Sequence, residues 1–170
     1  NPGSYSLLSI GACTLQRPHL TFYVEIQPIH DTFLPEAYGI HGLSPEYLRE
    51  YGLPPSIAIK QFADWIGTAV PSRERPIFIA FNAPFDWMFI CDYFHRFHGH
   101  NPFGHSAMDI KALYMGIVGC DWDETSWSHV SQRYIGDHQL THNALSDAID
   151  QAEILLHILE EERQSEYTGE

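Results

Sequence analysis

An aspartate stands where the pattern of this chain asks for an apolar residue. Pro76–Phe81 (PIFIAF) reads as a buried strand, and residues 84–98 read as the helix that follows it. At about 100° per residue, Phe89, Ile90, Tyr93 and Phe97 fall within about 60° of Asp86, while Asp92 lies with Met88, His95 and Arg96 on the other side. Asp86 therefore sits in the middle of the apolar stripe. A carboxylate aimed there costs several kcal/mol unless it is paired or binds a metal. A structural aspartate satisfied by backbone N–H groups at a helix cap is the alternative. Pro84 suits the first helical turn and puts Asp86 just inside the helix, which favours the metal reading.

The last helix, 142–163, passes the same test. Leu145, Ala148, Ile149, Ala152, Leu155, Leu156 and Leu159 make its main core stripe, and Asn143, Ser146, Asp150, Glu153, His157 and Glu160 its wet face. Asp147 belongs to neither. It lies on the border with Ala144, Gln151, Ile154 and Ile158, where a carboxylate can reach a cleft while its helix stays anchored. His142 precedes it by five residues, with small residues between.

The remaining elements place these two helices in one layered domain. Ser6–Cys13 and Thr21–Ile29 read as strands of a hairpin across Gln16-Arg17-Pro18-His19, with a short helix near Pro45–Tyr51. Ile57, Phe62, Trp65, Ile66 and Ala69 recur at helical spacing up to Pro71. His105–Ile110 reads as an edge strand, and 116–140 as short helical turns around Trp127–Tyr134. Early strands followed by strand–helix alternation indicate an α/β fold with a mixed sheet: one domain over 1–165 and a polar tail over 166–170.

The chain has 22 acidic residues against nine basic ones, and its only lysines are Lys60 and Lys111. A grip on long duplex DNA needs a basic stripe that neutralises about 6–10 phosphates, so only a few nucleotides are expected to be held at once. Cys13, Cys91 and Cys120 are odd in number and form no C-x-x-C pair. Buried free thiols, a reducing compartment and a cytoplasmic location are the expectation. No run of about 18 apolar residues occurs, so no membrane association is expected.

Ala80-Phe81-Asn82-Ala83-Pro84-Phe85-Asp86 and His142-Asn143-Ala144-Leu145-Ser146-Asp147-Ala148 resemble the second and third motifs of the DEDDh 3′–5′ exonucleases. These are metal-dependent nucleases with a ribonuclease H-like fold, a mixed central sheet flanked by helices. Ile40-His41-Gly42-Leu43-Ser44 resembles the family's loop that borders the terminal nucleotide, and Ala107-Met108-Asp109 an intervening aspartate that is more often structural than catalytic. The resemblance implies Asp86 and Asp147 as metal ligands and His142 as general base. It also implies substrate contacts from Asn82, Phe85, His41, Gly42 and Leu43, and two Mg²⁺ or Mn²⁺ ions in the complete enzyme.

The implied reaction releases mononucleotides from a free 3′ end of single-stranded or short DNA or RNA. Two metal ions about 3.5–4 Å apart position the attacking water and stabilise the leaving oxygen. Hard ions favour carboxylate oxygens, and an imidazole changes protonation near neutral pH and can take the water's proton.

Two features depart from the family pattern. Phe81 stands where many members have histidine, and the first motif, Asp-x-Glu on the opening strand, does not occur in its place. Asn1-Pro2-Gly3 resembles the loop that follows that motif, so the motif is expected just ahead of residue 1. With two of the four carboxylates, the chain as written is expected to hold metal incompletely or not at all, to be inactive, and to form a homodimer through an exposed strand edge. A catalytically silent ribonuclease H-like module that binds nucleic acid or protein is the alternative function.

Overall fold

The computed structural model describes residues 1–33, 42–136 and 141–168, with side chains of the last helix through Gln164. Strands β1 (Ser9–Cys13) and β2 (Thr21–Glu25) pair antiparallel from Ser9↔Glu25 to Cys13↔Thr21. Thr14 closes the turn, donating its N–H to the Leu20 carbonyl and accepting the Leu20 N–H at Oγ1. Two helices follow, α1 (Pro45–Tyr51), capped by Ser44, and α2 (Pro55–Ala69), which ends just before Pro71.

A parallel strand–helix–strand unit comes next: β3 (Phe78–Ala80), α3 (Ala83–Phe97) and β4 (Ala107–Asp109), with Ala80 opposite Asp109. Helix α4 (Ile110–Val118) leaves β4 without a loop and ends at Gly119, whose φ of 71° suits a residue with no Cβ. A 3₁₀ turn (Trp122–Thr125), α5 (Trp127–Tyr134) and the long α6 (Ala144–Thr168) complete the order.

The apolar residues gather into two clusters. Ile10, Val24, Ile59, Phe62, Phe89 and Phe94 join the hairpin to α2 and α3. Ile110, Tyr114, Val130, Ile154, Leu155 and Ile158 join α4, α5 and α6. Helix α6 packs along β1 as well. Gly11 makes that seat possible, since a Cβ there would stand 2.1 Å from the Ala144 carbonyl carbon and 2.2 Å from the Leu145 nitrogen.

Three expectations are corrected. The sheet is not one mixed layer: among the described residues the strands form two separate pairs, one antiparallel and one parallel. A groove of about 910 Å³ is lined by both β1 and β3, each of which has a strand partner on one side only. Second, the segment after β4 is helical from Ile110, so the edge strand stops at Asp109 and one helix runs to Val118 through residues 111–115, which had no assigned element. Third, Ile154 and Ile158 are fully buried rather than marginal, while Leu145, Leu156 and Leu159 are only half-buried. The cause is that α6 touches two cores, so a wheel with a single apolar face misplaces its boundary. The cysteines are free, as expected, but half-buried. Burial and the nearby Glu153 push the Cys13 thiol up to about 11, which keeps it inert.

Candidate active site

The site grows from two turns that feed helices. Strand β3 runs through Phe81 into Asn82, which has left-handed backbone (φ 63°, ψ 45°), and α3 starts at Ala83. Pro84 in the first turn and the Phe85 N–H bond to the Asn82 carbonyl (3.1 Å) set the helix start, so Asp86 arrives one residue later inside the first turn. The turn's own N–H groups are held by other elements. Gln151 Oε1 on α6 accepts from Phe81 (2.9 Å), and Asp109 Oδ1 on β4 accepts from Asn82 (2.9 Å) and Ala83 (3.3 Å).

The second turn is built alike. His142 also has left-handed backbone, φ 57°; it and Asn82 are the only non-glycine residues with positive φ among the described residues. Asn143 caps α6, its Oδ1 accepting from Leu145 and Ser146 at 3.1 Å each. Asp147 folds back on the turn and accepts at Oδ1 from the Thr141 N–H (3.0 Å) and Thr141 Oγ1 (3.2 Å). One carboxylate oxygen is thus tied to the turn, and the carboxylate has a second to offer.

Both turns open on the same groove. Asp86, Asp147, His142, Phe85 and Leu43 all line it. His142 and Leu43 also line a smaller recess of about 90 Å³, together with Ser9 and Tyr23. Phe85 is 58% exposed and its ring lies 5.9 Å from that of Phe89. Asn82 and Gly42 do not line the groove, and Gly42 turns through φ 67° just before Leu43. His41 lies outside the described residues. Sequence reasoning missed Gln151 as a brace, although its place on Asp147's border of α6 was the available signal. Asp109 was singled out by resemblance as a structural aspartate, but the partners of its carboxylate, Asn82 and Ala83, needed knowledge of the strand register.

Asp86 is open to the groove on one side and crowded by protein on the others. That crowding raises its carboxyl from 3.8 to about 6, against the pull of its own backbone N–H. It has no ion-pair partner among the described residues. Five of the nine basic residues are ion-paired, Arg17 with Glu153, Arg49 with Asp31, Lys60 with Asp64, Arg96 with Asp92 and Arg133 with Glu161, and Arg49 and Arg75 line the groove.

Comparison with known proteins places the chain beside two nucleases. The 3′–5′ DNA exonuclease Cap18 of Escherichia coli is 43% identical over 153 residues, spanning 90% of this chain and 82% of that protein. Ribonuclease T of Baumannia cicadellinicola subsp. Homalodisca coagulata is 30% identical over 129 residues, spanning 69% of this chain and 59% of that protein. No family model matches the chain. The class is therefore a hydrolase of phosphodiester bonds. Within it, the chain belongs to the DEDDh-type 3′–5′ exonuclease family. Among the described residues no helix is long and apolar enough to cross a membrane.

Proposed function

We propose that this protein trims short or single-stranded nucleic acid from the 3′ end by metal-dependent hydrolysis, with Asp86 and Asp147 as ligands and His142 as general base. The observation that carries the reading is that these three residues, brought from two distant turns, line one groove. The donor set suits Mg²⁺ or Mn²⁺ in kind, being carboxylate oxygens, one of them on a carboxylate that lacks a cationic partner. It falls short in number, since no three His, Cys, Asp or Glu residues cluster for metal among the described residues. A two-metal set needs further carboxylates, which the Asp-x-Glu motif provides in the family this chain belongs to.

When bound, the metal pair supplies charge at the scissile phosphate and acidifies the attacking water. The protein's own residues do the rest. His142 accepts the water's proton from the rim of the groove, on a backbone held by the neighbouring Asn143 cap. Thr141 fixes the plane of the Asp147 carboxylate. Phe85 and Leu43 offer apolar surface to a base, and stacking worth about 1–3 kcal/mol per base suits a protein with little free positive charge. The name of the 43% identical relative makes DNA the first substrate to try.

The test is trimming of 5′-labelled single-stranded DNA and RNA by the protein expressed from its full reading frame, with Mg²⁺ or a chelator. Ladder formation from the 3′ end, lost with the chelator and in Asp86→Asn, Asp147→Asn and His142→Ala, is the expected result. Trimming that survives Asp86→Asn would overturn the assignment. Binding without hydrolysis would favour the silent module.

A further inference from the structure

We infer that Asp109 is a positioning residue for this site: from β4, its Oδ1 holds the left-handed turn that delivers Asp86 to the groove. The first N–H groups of a helix have no partner inside it. At α3 those include Ala83, which is 1% exposed and shut off from water. The residue at the cap, Asn82, makes no side-chain cap bond, so the acceptor must come from elsewhere. The parallel register sets Asp109 opposite Ala80, at the exit of β3, and its Oδ1 reaches Asn82 N (2.9 Å) and Ala83 N (3.3 Å).

The same oxygen accepts from Lys111 N (3.1 Å) as the N-cap of α4. One atom therefore starts two helices. Asp86 lies four residues beyond Asn82, and a one-residue slip in where α3 begins would rotate it by about 100°. In this role Asp109 is a hydrogen-bond acceptor, and its charge is not required.

The inference rests on the exonuclease reading only for its kinetic readout. Three substitutions separate the roles. Asp109→Asn keeps an acceptor oxygen at the same reach. Asp109→Ser can still cap Lys111 N–H, but is too short to reach Asn82. Asp109→Ala does neither. Amide hydrogen exchange at Asn82 and Ala83 is expected to quicken at least tenfold in the Ser and Ala variants and to stay near wild type in Asn.

In the protein expressed from its full reading frame, kcat for 3′ trimming should fall tenfold or more in Ser and Ala, with KM within twofold, and recover in Asn. Wild-type exchange in Asp109→Ser would reduce Asp109 to a cap of α4 and overturn the inference. So would an Asn variant as impaired as Ala. If the wild-type protein shows no trimming, the exonuclease reading fails, and the exchange experiment alone upholds or overturns the role of Asp109.

Discussion

Replacing Asp86 by asparagine should destroy activity and at the same time stabilise the fold at neutral pH. The carboxyl is raised from 3.8 to about 6, a shift of about two units at about 1.4 kcal/mol each, so the fully desolvated limit is about 3 kcal/mol. Asp86 is open to groove water, and screening reduces this to about 1 kcal/mol. The sign follows from the protons bound. Below the unfolded value both states are protonated and nothing is lost. Between about 4 and 6 only the unfolded chain ionises freely, so stability falls as pH rises, and above that window the whole cost is present.

Asparagine keeps the shape and never ionises. In chelator, Asp86→Asn should melt about 2–4 °C higher than wild type at about pH 7.5, and the gain should shrink to a small part of that near pH 4. Paired thermal melts at the two pH values read this directly. A variant less stable than wild type at neutral pH, or equally stabilised at both, would show that Asp86 is not a desolvated acid.

The seat of α6 on β1 makes Gly11→Ala costly: a Cβ 2.1 Å from the Ala144 backbone should lower urea stability by about 1–3 kcal/mol, and an unchanged midpoint would refute the close approach. Ile158→Ala, at a fully buried position, should cost about 2–5 kcal/mol and clearly more than Leu156→Ala at its half-buried one. Equal losses would restore the single-faced helix. Binding of single-stranded DNA should weaken with salt at a slope of about −1.5 to −2, as for two or three neutralised phosphates. A slope near −6 would require a basic surface that the ion pairs of Arg17, Arg49, Arg96 and Arg133 argue against.

How much was legible follows from where each signal resides. Helix α3 was readable almost to the residue because an apolar strand, a proline and a 3.6-residue stripe all agree over Pro76–Phe97. The groove residues Asp86 and Asp147 stood out because each breaks its helix's pattern, and only tertiary chemistry can settle such a break. Helix α4 was invisible for the opposite reason. Ile110–Val118 is apolar on most sides, carries Gly116 within it, and takes its cap from the last residue of a strand. The split of the strands into two pairs depends on which edges meet, and so did the roles of Gln151 and Asp109, whose partners are 70 and 27 residues away in sequence.

The left-handed backbone at Asn82 and His142 also decides how this protein will answer to selection. Each non-glycine residue in that conformation strains the native state by about 1 kcal/mol or more, and each stands just upstream of a groove aspartate. A library screened for heat resistance alone will therefore be drawn toward glycine at these two positions. At His142 that change removes the imidazole together with the strain. Elsewhere, in the cores around Phe62 and Ile158, a screen for folding and a screen for trimming will pick the same winners. At His142, on the proposed role of its imidazole, they will pull apart, so an improvement scored only by yield will tend to leave a well-folded protein that no longer cuts.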